Sequence, residues 1–424
     1  MYFIPKYILC LFFLILVDFF MAKKINATEN QKTRKILLII SIGSNFGLLF
    51  YFKYLGFSIE NLNLVLGQIS EAKINYTNTI LPIGLSFHTF QSVSYVIDVY
   101  KKKIKPENHL GIYSTYVLFF PQMVAGPIER FSTLGTELNN KTIFKIDLIK
   151  KALPLILIGL FYKMVIADNC GEYVNSTYSS LSNQNNYNVL LAIFLFCIQI
   201  YADFFGYSLI AQGSARLFGI NLIDNFSFPF FSENIVVFWK KWHISLTSWF
   251  RDYVYIPLGG NKTNKIKHLF NILVVFALSG LWHGAGFNFI LWGTVHAIGY
   301  MITLAVINQL KIKLPSAISY VFNFVLVAFI FVFFRSGQLS ESLAIFTNLC
   351  PKQENLNFIP ISYFLLANLF FLFLLEYKAR THNNYKTFIE QNNYFKNLLI
   401  YIYIAFAILT FSGIDNLPFI YFQF

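Results

Sequence analysis

The chain has 424 residues, of which 56% are hydrophobic and only 12% charged, with a mean hydropathy of +0.55. That balance excludes an ordinary water-soluble domain and marks an integral membrane protein. The basic excess, 33 Lys plus Arg against 20 Asp plus Glu, gathers in short loops between apolar runs, a pattern that orients a membrane protein rather than one that grips nucleic acid. Apolar runs recur along the whole sequence with no room for a soluble domain between them, so residues 1–424 read as one membrane domain. The cysteines Cys10, Cys170, Cys197 and Cys350 are scattered, with neither a disulfide framework nor zinc spacing, and no metal is expected.

Spans follow from apolar length, and sidedness from where Lys and Arg collect near the ends. The run 7–22 reads as a retained first span rather than a signal peptide, because Asp18 interrupts it and no small-x-small cleavage site precedes Lys23. Lys23, Lys24, Lys32, Arg34 and Lys35 place the next loop in the cytoplasm and the N-terminus outside. Spans at 36–52 and 79–99 follow, the second returning to Lys101, Lys102, Lys103 and Lys105. The run 110–126 ends in Pro121, Gly126 and Pro127 and is basic on both flanks, which predicts a segment that dips into the bilayer and returns. The run 152–167 leads into 168–187, which lacks Lys and Arg and reads as an outer loop. A span at 188–212 then carries Asp203 back to the inner side.

The stretch 213–267 is basic yet full of Phe, Trp and Tyr, so it is expected to lie in the interface or to re-enter from the cytoplasmic side. Trp239, His243, Leu246, Thr247 and Phe250 recur at helical spacing, predicting one helix over 235–251 whose aromatic face carries a single histidine. Spans at 268–285, 287–308, 316–334, 358–376 and 397–413 complete about ten crossings. Lys311 and Lys313, then Lys378, Arg380 and Lys386, mark inner loops and leave the C-terminal tail outside. No internal repeat and no low-complexity segment is visible.

Within the span that ends in LSGLWHGAG (278–286), His283 places an ionisable group in an apolar run. Such a group costs about 2.5–3.5 kcal/mol at membrane depth and usually faces a bundle interior or a watered cavity. Ser279, Gly280, Gly284, Ala285 and Gly286 leave room for a substrate or another backbone. Two readings stand side by side: a core histidine satisfied by a neighbouring helix, or a catalytic imidazole. His243, in KKWHISLTSWFRD, can approach His283 if the aromatic segment re-enters. His296 falls on another face of a continuous helix, which favours packing support over direct chemistry, and His88 is similar. His109 and His268 sit at span ends, and His382 in an inner loop. The basic residues Arg216, Lys240, Lys241 and Arg251 are an orientation signal, a dock for phosphates, or both. Asp98 and Asp203 have Lys163 or arginines as possible partners, which sequence alone does not pair.

Four stretches carry a family resemblance: LPIGLSFHTFQSVSYVIDVY (81–100), FFPQMVAGPIERF (119–131), FWKKWHISLTSWFRDYVYIPLGGN (238–261) and LSGLWHGAGFNFILWGTVHA (278–297). Together they resemble the membrane-bound O-acyltransferase (MBOAT) family, in its bacterial branch of alginate and peptidoglycan O-acetyltransferases and teichoic-acid D-alanylation proteins. PLGGN (257–261) and the WHGAG form look closer to the alginate and peptidoglycan type. The resemblance implies an all-α polytopic membrane protein, with about ten transmembrane helices plus re-entrant and interfacial helices around a central tunnel. It makes His283 the family histidine and His243 its upstream partner, supported by Trp282 and His296. Lys240, Lys241 and Arg251 become candidates to dock the phosphates of acetyl coenzyme A at the cytoplasmic mouth.

Moving an acyl group from a thioester to an alcohol or phenol requires the acceptor oxygen to lose its proton as it attacks, and a positioned imidazole contributes about 10² to 10⁴-fold. His283 is the candidate base, with His243 orienting the acceptor or holding the developing oxyanion. The tail PFIYFQF (418–424) is either an apolar plug or, by resemblance to related envelope systems, an acyl relay through Tyr421. The expected protein is an inner-membrane acetyltransferase with both termini periplasmic and no bound cofactor. It takes acetyl from cytoplasmic acetyl-CoA, and a periplasmic esterase-like partner completes O-acetylation of an envelope polysaccharide. The alternatives are D-alanyl transfer to teichoic acid and a transporter or flippase, which predicts broken helices in two matching halves.

Overall fold

The computed structural model describes residues 7–420 apart from 70–72, 78–79, 83, 124–125, 141–144, 308–313, 351–357, 392–393 and 413–417; for 394–396 it describes backbone only. Every regular element among the described residues is a helix. Where water cannot satisfy backbone N–H and C=O groups, the helix satisfies them within one segment. Five of these helices are long and apolar enough to cross a membrane: Gln31–Leu66, Asn186–Leu217, Lys265–His283, Phe287–Ala305 and Ser316–Arg335. The chain divides into two compact units, Met1–Ile143 with Ile220–Leu222, and Phe144–Gly219 with Ile223–Phe424.

The first unit holds α1 (Tyr7–Ala27), α2 (Gln31–Leu49), α3 (Leu55–Leu66), α4 (Leu85–Tyr100), α5 (Leu110–Leu118) and the short α6 (Thr136–Asn139). Asp18, which breaks the apolar pattern of α1, is fully buried and accepts hydrogen bonds from Ser41 Oγ at 2.5 Å and Asn45 Nδ2 at 2.9 Å. Its cost in an apolar setting is offset by two donors that α2 supplies. The Asn30 side chain caps α2 by accepting from the Lys32 and Thr33 N–H groups. A π-helical turn at Phe50–Tyr54 then carries α2 straight into α3, well beyond the predicted end at 52. The run expected over 110–126 is helical only to Leu118.

In the second unit, α7 (Ile146–Leu160) continues through a π-helical stretch (Phe161–Ala167) into α8 (Asp168–Ser179). The expected outer loop over 168–187 is therefore helical through Ser179; the lack of Lys and Arg is a signal of sidedness and carries no information about conformation. The next helix, α9 (Asn186–Leu217), packs antiparallel on α7 through glycine. A Cβ on Gly159 would lie 2.6 Å from the Gly206 carbonyl oxygen, and one on Gly206 2.7 Å from that of Gly159. The backbones touch there, and no side chain fits between them.

The predicted continuous helix over 235–251 is two helices, α10 (Ile235–Lys241) and α11 (Ile244–Phe250). The break has a local cause. The carbonyl of Lys241 accepts the Ser227 N–H at 3.0 Å, and the Ile244 N–H donates to the Asn225 carbonyl at 2.8 Å, so the 225–227 loop captures groups that a helix would use internally. Ser245 Oγ donates to Asn225 Oδ1 at 2.6 Å and fixes the same junction. His243 sits at this junction with φ 41 and ψ 55, a left-handed conformation uncommon for a non-glycine residue.

The hairpin of α12 (Lys265–His283) and α13 (Phe287–Ala305) turns at Gly284–Gly286. It closes on two glycines: a Cβ on Gly280 would stand 2.1 Å from the Phe289 carbonyl oxygen, and one on Gly293 2.1 Å from that of Phe276. The rest of the unit is α14 (Ser316–Arg335), packed on α9 and α13, then α15 (Leu339–Thr347), α16 (Tyr363–Ala379), α17 (Tyr385–Gln391) and α18 (Tyr394–Phe411).

Candidate active site

Each histidine of the site is held by a different device of the second unit. His283 is the last residue of α12, where Gly284 leaves the helix. His243 is projected by the left-handed break between α10 and α11. These two rings lie 6.3 Å apart between centroids, both buried, at 5% and 1% exposure. Trp282 packs edge-on against both, 4.9 Å from His283 and 6.0 Å from His243. The approach expected between His243 and His283 is thus present, although a break rather than a continuous helix produces it.

The walls are aromatic. His283 packs on Trp292 at 5.3 Å and Phe334 at 5.2 Å, and His243 meets the edge of Phe204 at 4.6 Å. His296, fully buried on α13, stands 4.9 Å from Trp292 and 5.0 Å from Trp239, so Trp292 lies between it and His283. Among the described residues neither ring nitrogen of His243 or of His296 has a hydrogen-bond partner. The room anticipated around His283 is partly taken: the Phe289 backbone fills the place of a Gly280 side chain, and the Phe289 ring that of Gly284.

Beside the histidines runs a cavity of ≈ 520 Å³. Its walls include Ile244, next in sequence to His243, and Ser279, one helical turn before His283; Lys240, Arg251, Asn261 and His268 also line it. Lys240 and Arg251 thus share one cavity, but Lys241 does not. The Lys241 ammonium turns away, donating to the Phe231 carbonyl at 2.8 Å, and lines a separate cavity. Arg216 is likewise committed elsewhere, paired with Glu390 at 2.9 Å.

A third feature, an ionic cluster buried in the bundle, was not assembled by sequence reasoning. Lys163 bridges Asp168 at 2.7 Å and Asp203 at 2.9 Å, and Asp203 Oδ2 accepts the Ile420 N–H at 2.6 Å. Phe419 packs on Tyr207 at 5.1 Å and on Phe204 at 6.2 Å, and Phe204 is the ring against His243. The signal for the cluster, charges inside apolar runs, was visible; its pairing was not. Tyr421 lies outside the described residues. Trp292 and Phe334 carry no signal of their own in the sequence because aromatic residues are common throughout this chain.

Among the described residues, regular structure that is all helical, five helices long and apolar enough to cross a membrane, and two buried imidazoles meeting at a helix break define a polytopic membrane protein with a buried histidine pair. Residues 108–339 match the model of the membrane-bound O-acyltransferase family (MBOAT), and the chain belongs to that family. It is 34% identical over 302 residues to a probable alginate O-acetylase of Pseudomonas putida, covering 71% of this chain and 62% of that one. It is 31% identical over 369 residues to a peptidoglycan O-acetyltransferase of Helicobacter pylori, covering 80% and 69%. A teichoic acid D-alanyltransferase of Streptococcus thermophilus is 30% identical over 277 residues, covering 61% and 65%. The chain spans about three-fifths of the length of the alginate relatives, 62% of the Pseudomonas putida protein and 58% of the Pseudomonas aeruginosa one.

Proposed function

We propose that this protein is a membrane O-acetyltransferase that moves acetyl from cytoplasmic acetyl-CoA toward a cell-envelope polysaccharide. The observation that carries the reading is the buried His243–His283 pair, 6.3 Å apart, whose near neighbours in the chain, Ile244 and Ser279, line a cavity together with Lys240 and Arg251, although neither histidine itself lines it. In this reading the two cations hold the phosphates of the donor, and its acyl arm runs along the apolar wall toward Ile244 and Ser279. His283 takes the acceptor proton as the oxygen attacks the thioester carbonyl; the tetrahedral adduct then collapses with cleavage of the C–S bond, and the same proton passes to the departing coenzyme A thiolate. His243 donates to the oxyanion or aligns the acceptor. Trp282, packed edge-on against both rings, fixes their orientation, and His296 with Trp292 backs His283. The acceptor that receives acetyl first is Tyr421 of the C-terminal tail, and a periplasmic esterase-like partner then passes acetyl to sugar hydroxyls.

The wider frame of the proposal is a single domain in the inner membrane, about ten crossings around a tunnel, with both termini periplasmic. Acetyl transfer is preferred to D-alanyl transfer because the alginate and peptidoglycan relatives are alike over 71% and 80% of the chain, against 61% for the D-alanyltransferase. The deciding experiment incubates the purified full-length protein, in lipid nanodiscs, with acetyl-CoA radiolabelled in the acetyl group. An acetyl–protein adduct is expected in wild type and absent from Tyr421→Phe. Solute movement across vesicles without any adduct would instead indicate a transporter.

A further inference from the structure

Away from the histidines, a second cavity, of ≈ 250 Å³, is lined by Ser227, Phe231, Lys241, Tyr320, Arg380 and Asn383 among others. Two cations meet there without a carboxylate. The Arg380 guanidinium lies over the Tyr377 ring at 4.0 Å and the Phe231 ring at 5.0 Å, and the Lys241 ammonium donates to the Phe231 carbonyl at 2.8 Å. Acidic groups of this region are engaged elsewhere: Asp224 with Lys386 at 2.9 Å, Glu390 with Arg216 at 2.9 Å, and the exposed Glu233 with Ser316 Oγ at 3.1 Å. Burial first, and then the Arg380 charge, push the Lys241 ammonium below its ordinary value, with Glu233 opposing. A guanidinium held over aromatic rings by cation–π contact still carries N–H donors for a planar or tetrahedral anion.

The backbone of this cavity is strained as well. Phe228 and Asn383, both on its wall, have φ of 49 and 66. A bulky residue in the left-handed region is an outlier, and such strain concentrates at functional sites. Ser227 Oγ donates to the Asn383 carbonyl at 2.7 Å and joins the two strained segments. Leading up to Arg380, α16 exposes Phe370, Phe373, Leu374 and Tyr377, at 64%, 53%, 47% and 51%. Those positions form one helical stripe of apolar surface suited to acyl chains, ending in the basic residues Lys378 and Arg380 that mark the cytoplasmic side.

We propose that this cavity is a headgroup site for an anionic phospholipid of the inner leaflet, its phosphate held between Lys241 and Arg380 and its chains laid along α16. The recognised chemistry is a phosphate ester. The apolar stripe selects a lipid as its source over a soluble phosphate compound.

The test uses the full-length protein, delipidated in neutral detergent and titrated by native mass spectrometry with phosphatidylglycerol and, separately, with diacylglycerol of the same chains. Inorganic phosphate and coenzyme A serve as competitors. Phosphatidylglycerol is expected to bind in clear preference to diacylglycerol, and the Lys241→Gln/Arg380→Gln variant to bind it roughly tenfold or more weakly. Lys241→Arg should retain binding, and Lys151→Gln, an exposed lysine on α7, should leave it unchanged. Arg380→Lys keeps the charge without the planar fork and should weaken binding, which preserves the test if the double variant fails to fold. Equal binding of the two lipids, or wild-type binding by a folded double variant, overturns the proposal. Displacement of the lipid by micromolar phosphate or coenzyme A overturns it too, by assigning the cavity to a soluble ligand.

Discussion

At the scale of single residues, the proposed chemistry rests on two imidazoles whose positions depend on unlike devices, a helix terminus for His283 and a left-handed break for His243. Replacing His283 by Ala is expected to lower acetyl transfer by about 10² to 10⁴-fold, as loss of a positioned general base does, with the melting temperature near wild type. A parallel loss of folded protein would reassign His283 to the core. Lys240→Gln with Arg251→Gln should raise the KM for acetyl-CoA with kcat little changed, because phosphate contacts far from the reacting carbonyl act on ground and transition state alike. The matching change at Lys241 should leave that KM alone, since its ammonium lines a different cavity. Sequence named both histidines and the three cations, but could not sort the cations: Lys240 and Lys241 are neighbours in the chain, and only the helical rotation between them sends one to each cavity.

At the scale of elements, glycine sets how closely helices approach. The α12–α13 hairpin brings Gly280 against the Phe289 carbonyl and Gly293 against that of Phe276. Gly280→Ala or Gly293→Ala must therefore push the helices apart, an overpacking that typically costs about 1–3 kcal/mol. A lower melting temperature in the same detergent, accompanied by lost activity as His283 moves, is the expected result. The buried ion pair of α9 behaves differently. Asp203→Ala removes one of the two carboxylates on Lys163 and frees the Ile420 N–H, and a buried donor left unsatisfied typically costs about 1–3 kcal/mol. Limited proteolysis should then cut near the C-terminus faster than in wild type; unchanged cleavage would show that the tail is held without Asp203. The spans were largely legible here: α9, α12, α13 and α14 fall within a few residues of the apolar runs, since helix length in a bilayer follows from hydropathy. The helix over 235–251 was misread because its spacing is helical throughout, while the reason it breaks lies in Asn225 and Ser227, loop residues distant in sequence.

For the whole molecule, composition alone decided that this is a membrane protein, and the length of its apolar runs decided where most of its helices lie, because both reflect local transfer of side chains between water and lipid. The histidines could be singled out from sequence for a related reason: an ionisable group in an apolar run is expensive wherever the run folds. What only the tertiary structure decided are the relations between distant segments. These include the two donors from α2 that make Asp18 tolerable, the loop that breaks the aromatic helix at His243, the separation of Lys241 from Lys240, and the docking of Ile420 on Asp203. Each depends on which hydrogen-bonding groups meet once the helices have packed, and that is set by the geometry of the bundle rather than by the residues flanking any one position.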